Sequence, residues 1–378
     1  VERVRARDAD AKEVELMQKV DWLTGRAAPY RRPVWDALRN RFDFQIRLLE
    51  SSTQFHSKPG NRPEDWYEIG LQSDDTAFVS TKRLQCGEEN YYLALRPPLR
   101  SHVDGVVLGG WESPAYWQAL AQIKTARRPV RSVGFYESTL SSQGHADGLV
   151  AAARRWYFRH LDAVVVPGEA AAEAVAAMGV KEARIYVGFN PVDVDWIARE
   201  STRPCREGTG HRFLFIGQLV PRKDPLSLIR AFADCREEAD RLTIVGKGEL
   251  APATAAEIDR LALTEAVDIV PSVSYQDIPA LLARHDTLVL PSITEVWGLV
   301  VNEALAAGLH AVVSSDAGVA RSVASMKGVS LCEPELAAIA HAMAESRRTW
   351  AGPIETPEIL SCTPGRFAEV FVRALSAG

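Results

Sequence analysis

Along most of the chain, short aliphatic and β-branched runs alternate with stretches whose apolar residues recur at helical spacing. The runs are apolar at consecutive positions, as expected of parallel strands covered by helices on both faces. In the first half this pattern predicts strands at Val20–Leu23, Phe42–Leu49, Val103–Leu108, Val130–Gly134, Ala163–Val166 and Ile185–Val187, with helices at Ser113–Thr125 and Gly148–His160. The stretch from Ser51 to Arg100 breaks the rhythm at Gly60, Pro63, Gly70 and Gly87 and is expected to decorate the sheet.

After the polar connector STRPCREGTG the alternation restarts: FLFIG, a helix from Pro225, LTIVG, a helix to Ala262, VDIV, a helix at Ile278–Ala283, TLVLPS, a helix from Leu299, HAVVSS and GVSLC. A last helical pattern covers Pro364–Leu375. The predicted fold class is therefore α/β, with two doubly wound parallel sheets.

Length agrees with that division, because a core rarely grows past about 250–300 residues before splitting and this chain has 378. The expected units are an extension over residues 1–16, a first domain over 17–198 and a second over 208–358. The net charge of −5 hides an asymmetry: residues 17–190 carry 22 Lys and Arg against 19 Asp and Glu, residues 191–378 carry 18 against 25. This balance argues against a general nucleic-acid binder. Arg31, Arg32, Arg39, Arg41 and Arg47 lie close together in the chain, either as a face toward an anionic acceptor or membrane surface or as a solvated helix. Five cysteines without a Cys-x-x-Cys pair suggest neither a disulfide framework nor a zinc site. A reducing, cytoplasmic setting follows as an expectation, since no secretory core or membrane-length apolar run is visible.

Three segments concentrate candidate chemistry. In PSITEVWGLVVNEALAAG (residues 291–308) a strand ends, a loop carries Glu295, Trp297 and Gly298, and a helix opens with Glu303 in its second turn. Ligands of open parallel sheets bind beyond the strands' C-terminal ends, and helix N-termini offer free N–H groups to anions; Gly298, Leu299 and Val300 would supply them here. Carboxylates would repel a phosphate, so Glu295 and Glu303 suit vicinal hydroxyls, pointing to a sugar. The alternative is a solvated Glu295 and a Glu303 that complements the helix dipole. In FLFIGQLVPRKDP (213–225), Gly217 and Gln218 precede Arg222 and Lys223, two cations suited to a diphosphate or simply exposed on a loop. LTIVGKGELA (242–251) matches the loose dinucleotide fingerprint through Gly246, Gly248 and Ala251. Its acidic ribose ligand should end the next strand, whereas Asp268 begins it, so these glycines are read as making room for a nucleoside. Asp193-Val-Asp195 has a metal-motif spacing, but its place near the connector argues against a metal role.

These segments, in this order, resemble the retaining glycosyltransferases of family 4, whose GT-B architecture sets two Rossmann-like domains across a cleft. The most specific element is the Glu-x7-Glu pair Glu295 and Glu303 within PS-x2-E-x-WG-x3-NEA-x-A-G. LDAVVVPGEA (161–170) and RIYVGFNPVD (184–193) resemble the end of the acceptor domain and its crossover. The resemblance implies that Glu295 and the amides of Gly298, Leu299 and Val300 hold donor sugar and phosphate, that Glu303 holds the ribose diol, that Lys223 holds the diphosphate, and that Val273, Ser274 and Tyr275 meet the base. It also implies a final helix, residues 362–378, that returns to the first domain. Gln218 departs from the family, where an Arg is frequent, and Arg222 is expected to supply that charge. In the first domain Trp111, Glu112, Tyr136, Glu137 and Ser138 are the candidate acceptor contacts, with Tyr136 or Glu137 where many relatives place a His.

The function so implied is metal-independent, cofactor-free transfer of a sugar from a nucleoside diphosphate, UDP before GDP, to a hydroxyl acceptor such as a glycan, glycolipid or natural product, with retention. Peripheral association at the inner membrane face is a further expectation. A silent nucleotide-sugar-binding relative and a nicotinamide-dependent oxidoreductase are the competing readings.

Overall fold

The computed structural model describes residues 17–50, 75–87, 89–203 and 209–377. The N-terminal extension, Cys205 and much of the irregular stretch after Ser51 lie outside the described residues.

In the first half the elements run β1 (Lys19–Thr24), α1 (Arg32–Arg39), β2 (Asp43–Leu48), β3 (Thr76–Phe78), β4 (Thr81–Cys86), β5 (Glu89–Ala94), β6 (Gly105–Leu108), α2 (Pro114–Lys124), β7 (Arg131–Phe135), α3 (Gly148–Arg159), β8 (Ala163–Pro167), α4 (Glu169–Ala177) and β9 (Ile185–Gly188). The crossing helix α5 (Val194–Glu200) leads to β10 (Arg212–Ile216), α6 (Pro225–Cys235), β11 (Arg241–Val245), α7 (Ala251–Arg260), β12 (Val267–Val270), α8 (Ile278–Leu282) and β13 (Thr287–Leu290). Then follow α9 (Leu299–Ala306), β14 (His310–Ser314), α10 (Ala320–Val323), β15 (Val329–Cys332), α11 (Leu336–Thr349) and α12 (Pro364–Ser376).

The first sheet is ordered β3-β2-β1-β6-β7-β8-β9 and the second β12-β11-β10-β13-β14-β15. Every pairing within them is parallel. The part of the Ser51–Arg100 stretch that is described is more than decoration: Thr76–Phe78 extends the sheet beside β2, and β4 and β5 form an antiparallel hairpin. Both sheets reverse direction beside their first strand, which opens a crevice beyond β1/β6 and β10/β13. The two crevices supply the site.

Trp22, Val133, Phe135 and Val165 form one core face of the first sheet, and Phe367, Phe371 and Ala374 of α12 complete it. Trp22 and Phe371 lie 4.7 Å apart between ring centroids. Gly105 admits this approach, since a Cβ there would stand 2.9 Å from Leu375 Cδ2. The chain's last helix thus belongs to the sheet formed by its first strands.

The five clustered arginines do not make an unpaired cationic face. Arg31 pairs with Glu137, Arg32 and Arg39 with Asp36 and Asp75, and Arg41 with Glu369. Arg47 donates to the Pro98 carbonyl at 3.0 Å and to Gln45. Among the described residues, no helix is long and apolar enough to cross a membrane.

Candidate active site

The loop after β13 is held open by backbone contacts that demand glycine. Gly298 lies at φ +101°, where side chains are strained, and a Cβ there would stand 2.8 Å from Leu290 Cδ2. Glu295 forms a parallel bridge with Ala317, while the Gly318 and Val319 amides donate to the Glu295 and Trp297 carbonyls at 3.0 Å. A Cβ on Gly318 would lie 2.0 Å from the Val296 carbonyl oxygen, so only glycine lets these strands approach. α9 begins immediately afterwards with no side-chain cap. Its first amides have no intrahelical acceptor, and the residues that carry them face the cleft.

The cation turn meets this loop from β10. The amides of Ile293 and Thr294 donate to the Arg222 carbonyl, at 2.9 and 3.4 Å. Asp224, in the left-handed region at φ +48°, caps α6 by accepting from the Ser227 amide at 3.2 Å. Lys223 is thereby turned inward, where it is 8% exposed and ion-paired with Glu295, itself 9% exposed. Arg222 stays half-exposed, 4.0 Å from Glu295, and donates to Gln218 Oε1 at 3.1 Å. Gln218 and Arg222 therefore act together at this corner.

The opposite wall brings Val273, Tyr275 and Glu303 to the same cleft of about 640 Å3. Tyr275 stacks on Trp196 of α5, with centroids 5.2 Å apart at 23°. Burial pushes the Glu303 carboxyl up to about 8, and burial first, then Glu303 and Asp193, raise the Tyr275 phenol. Asp193 itself caps α5 by accepting from the Trp196 amide at 3.0 Å, a structural task for half of the Asp-x-Asp pair.

Gly217 and Gly246 also line the cleft, but the glycines serve backbone packing. A Cβ on Gly246 would fall 1.8 Å from the Gly217 carbonyl oxygen, and one on Gly248 would fall 2.2 Å from that of Leu219. The space beside Gly248 is filled by Leu219, which corrects its reading as room for a nucleoside; Gly248 is not in the cleft lining. Ser274 is likewise outside that lining and accepts the Asp277 amide at a turn. Trp297 faces the cleft but is 3% exposed, packed on Phe189 at 5.0 Å and against Gly168. It wedges the two domains together.

A second cavity of about 550 Å3 lies in the first domain and shares Tyr30 and Glu137 with the cleft. Glu112 lines it, with Arg31, Tyr91 and Tyr92. Three of the expected acceptor contacts lie elsewhere. Tyr136 is buried edge-on against Phe158 at 5.0 Å and its hydroxyl reaches Gln143 and Ser138. Trp111 lies beneath Arg154 and accepts from Trp117 Nε1 through its carbonyl. Asn190 and Asn302 were not legible as site residues, because each acts through a partner distant in sequence, Glu137 for Asn190 and Asn190 for Asn302.

Two family models match the chain: Glycosyltransferase Family 4 over residues 59–196 and Glycosyl transferases group 1 over residues 202–346. The D-inositol 3-phosphate glycosyltransferase of Salinispora arenicola is 34% identical over 125 residues, covering 30% of this chain and 28% of that protein. The glycogen synthase of Mycobacterium tuberculosis is 29% identical over 217 residues, covering 56% of this chain and 50% of the relative. The chain therefore spans half or less of these relatives' length. Anabaena HepE, solved in complex with UDP and glucose, superposes with a TM-score of 0.68 at 16% identity, covering 96% of this chain and 100% of that one. Two parallel sheets facing across a cleft, and two family models that together run from the first sheet into the second, lead to one assignment: the chain belongs to the GT-B glycosyltransferases of family 4.

Proposed function

We propose that the protein transfers a hexose from a nucleoside diphosphate to a hydroxyl acceptor with retention at the anomeric carbon. The observation that carries this reading is the convergence of Lys223, Arg222, Glu295 and the opening of α9 on one cleft, with Glu303 and Tyr275 opposite. Lys223, Arg222 and the α9 amides stabilise the diphosphate as its bond to the anomeric carbon breaks and the electron pair leaves with it. The acceptor oxygen bonds to that carbon from the same face, and its proton passes to the departing phosphate oxygen. Glu295 holds sugar hydroxyls and Glu303 the ribose diol. Lys223 and Glu295 neutralise each other, so the arriving diphosphate takes Lys223 while the sugar takes Glu295.

Charge stabilisation by these side chains asks for no metal, and UDP is the first nucleotide to test because HepE, a neighbour in fold, was solved with it. Glu137, at the junction of the two cavities, and Glu112 face the acceptor. Thermal shift with UDP, GDP and NAD separates this reading from its competitors: UDP should raise the melting temperature by the equivalent of about 2.7 kcal/mol at a hundredfold excess over its Kd. A shift with NAD alone would sink it. UDP release from UDP-glucose in EDTA should persist, and Lys223→Ala and Glu295→Gln should each lower it at least ~100-fold with far-UV circular dichroism unchanged. UDP binding without any release would leave a silent binding protein.

A further inference from the structure

One line of buried polar contacts runs from the acceptor side of the cleft to the helix that forms its donor side. Glu137 follows β7 and borders both cavities. Its carboxylate pairs with Arg31, which is 6% exposed and lies 4.2 Å over the Phe135 ring. Asn190, 2% exposed in the crossing between the domains, joins both: its Nδ2 donates to Glu137 Oε1 at 3.2 Å and its Oδ1 accepts from Arg31 Nη1 at 3.3 Å. The backbone carbonyl of Asn190 accepts from Asn302 Nδ2 at 2.7 Å. Asn302 is fully buried on α9, next to Glu303, and its Oδ1 has no hydrogen-bond partner among the described residues.

A buried amide with half its capacity unmet carries a desolvation cost. At a position beside the core residues Val301 and Ala304 on the same helix, an apolar side chain would avoid it. What Asn302 gains is the bond to the crossing, and hydrogen bonds of this kind are directional where apolar packing is not. We infer that Asn302 and Asn190 are positioning residues that hold α9 in register with Glu137, so that donor and acceptor sides meet at a fixed separation. As a statement about catalysis this rests on the glycosyltransferase reading; as a statement about coupling across the crossing it does not.

The test uses the full chain, with Asn302→Leu to remove both the bond and the unmet oxygen, and Asn302→Asp to keep the shape but lose the donor. Hydrogen exchange, measured without ligand, should rise at least tenfold in residues 136–143, to which the Asn302 side chain makes no hydrogen bond, as well as around Asn190. Faster exchange confined to α9, or none, overturns the coupling; should Asn302→Asp fail to fold, Asn302→Leu still decides it. With UDP-glucose as probe, UDP release should fall about tenfold in kcat with KM within threefold of the unsubstituted protein. Adding Glu137→Gln to Asn302→Leu should lower it little further. Unchanged kcat, or a full additive loss, overturns the positioning role. If the unsubstituted protein neither binds UDP nor releases it from UDP-glucose, the functional reading fails, and the exchange result decides the coupling alone.

Discussion

Glu303 carries a proton through much of the neutral range, because burial pushes its carboxyl up to about 8 from an ordinary value of 4.5. In the unfolded chain the same group ionises near that ordinary value, so the folded state holds more protons between the two. Its contribution to stability is complete below about 4.5 and is lost as pH rises toward about 8, with no further change above. The melting temperature should therefore fall over that window more steeply than in Glu303→Gln, measured as the difference between the two proteins; parallel curves would refute the shifted carboxyl. If Glu303 accepts from a ribose diol, UDP affinity should also strengthen from pH 6 toward 8 and stay level in the variant. The residues that line the cleft at this scale were readable from spacing: two carboxylates eight positions apart around a loop-to-helix junction, and two adjacent cations after a neighbouring strand. Their partners were not. Nothing in the sequence pairs Lys223 with Glu295 or Arg31 with Glu137, because those contacts exist only once the sheet order brings distant loops together.

At the level of elements, glycines in the donor loops set how close backbone can come to backbone. Gly318→Ala would force the 317–319 strand off Val296 and weaken the bridge that fixes Glu295. We expect at least tenfold weaker UDP binding by calorimetry, with a stability loss of about 1–3 kcal/mol by urea titration, the range for overpacking a tight site. The apolar runs made the central strands legible, and their bounds agree with the structure to within a residue or two in most cases. β3 escaped because three residues, Thr-Ala-Phe, carry no period, and the β4–β5 hairpin because Lys82, Arg83 and Gln85 put polar side chains on both faces of β4, which is exposed along most of its length. The alanine-rich helix α11 lacks a strong apolar stripe and went unread. Gly248 shows the converse error: a fingerprint glycine read as space for a ligand is space for the next loop, whereas Gly246 of the same fingerprint does line the cleft.

Across the whole molecule the first domain depends on the far end of the chain. Phe371 is fully buried against Trp22 and Phe135, and Phe367 beside it is 2% exposed. Phe371→Ala should cost about 3–5 kcal/mol, and the loss should fall on the first sheet: in a urea titration followed by hydrogen exchange, β7 and β8 should open early while β10 and β13 keep their midpoint. Equal loss in both sheets would contradict the assignment of α12 to the first. The division into two domains was visible from length and alternation, and the charge asymmetry pointed the same way, but the contact between them was not. There Gly168, at φ +87°, faces Trp297 with room for no more than a hydrogen: a Cβ would lie 2.8 Å from the indole and 3.0 Å from Ser322 Oγ. Since Trp297 stands two residues from Glu295 in a loop pinned by backbone bonds, the same indole that abuts the first domain also anchors the backbone that carries Glu295. The two domains thus meet at a mechanical stop that tolerates less than one methyl group, so the spacing of the cleft's walls at this point is set by rigid backbone and an indole ring and not by flexible side chains.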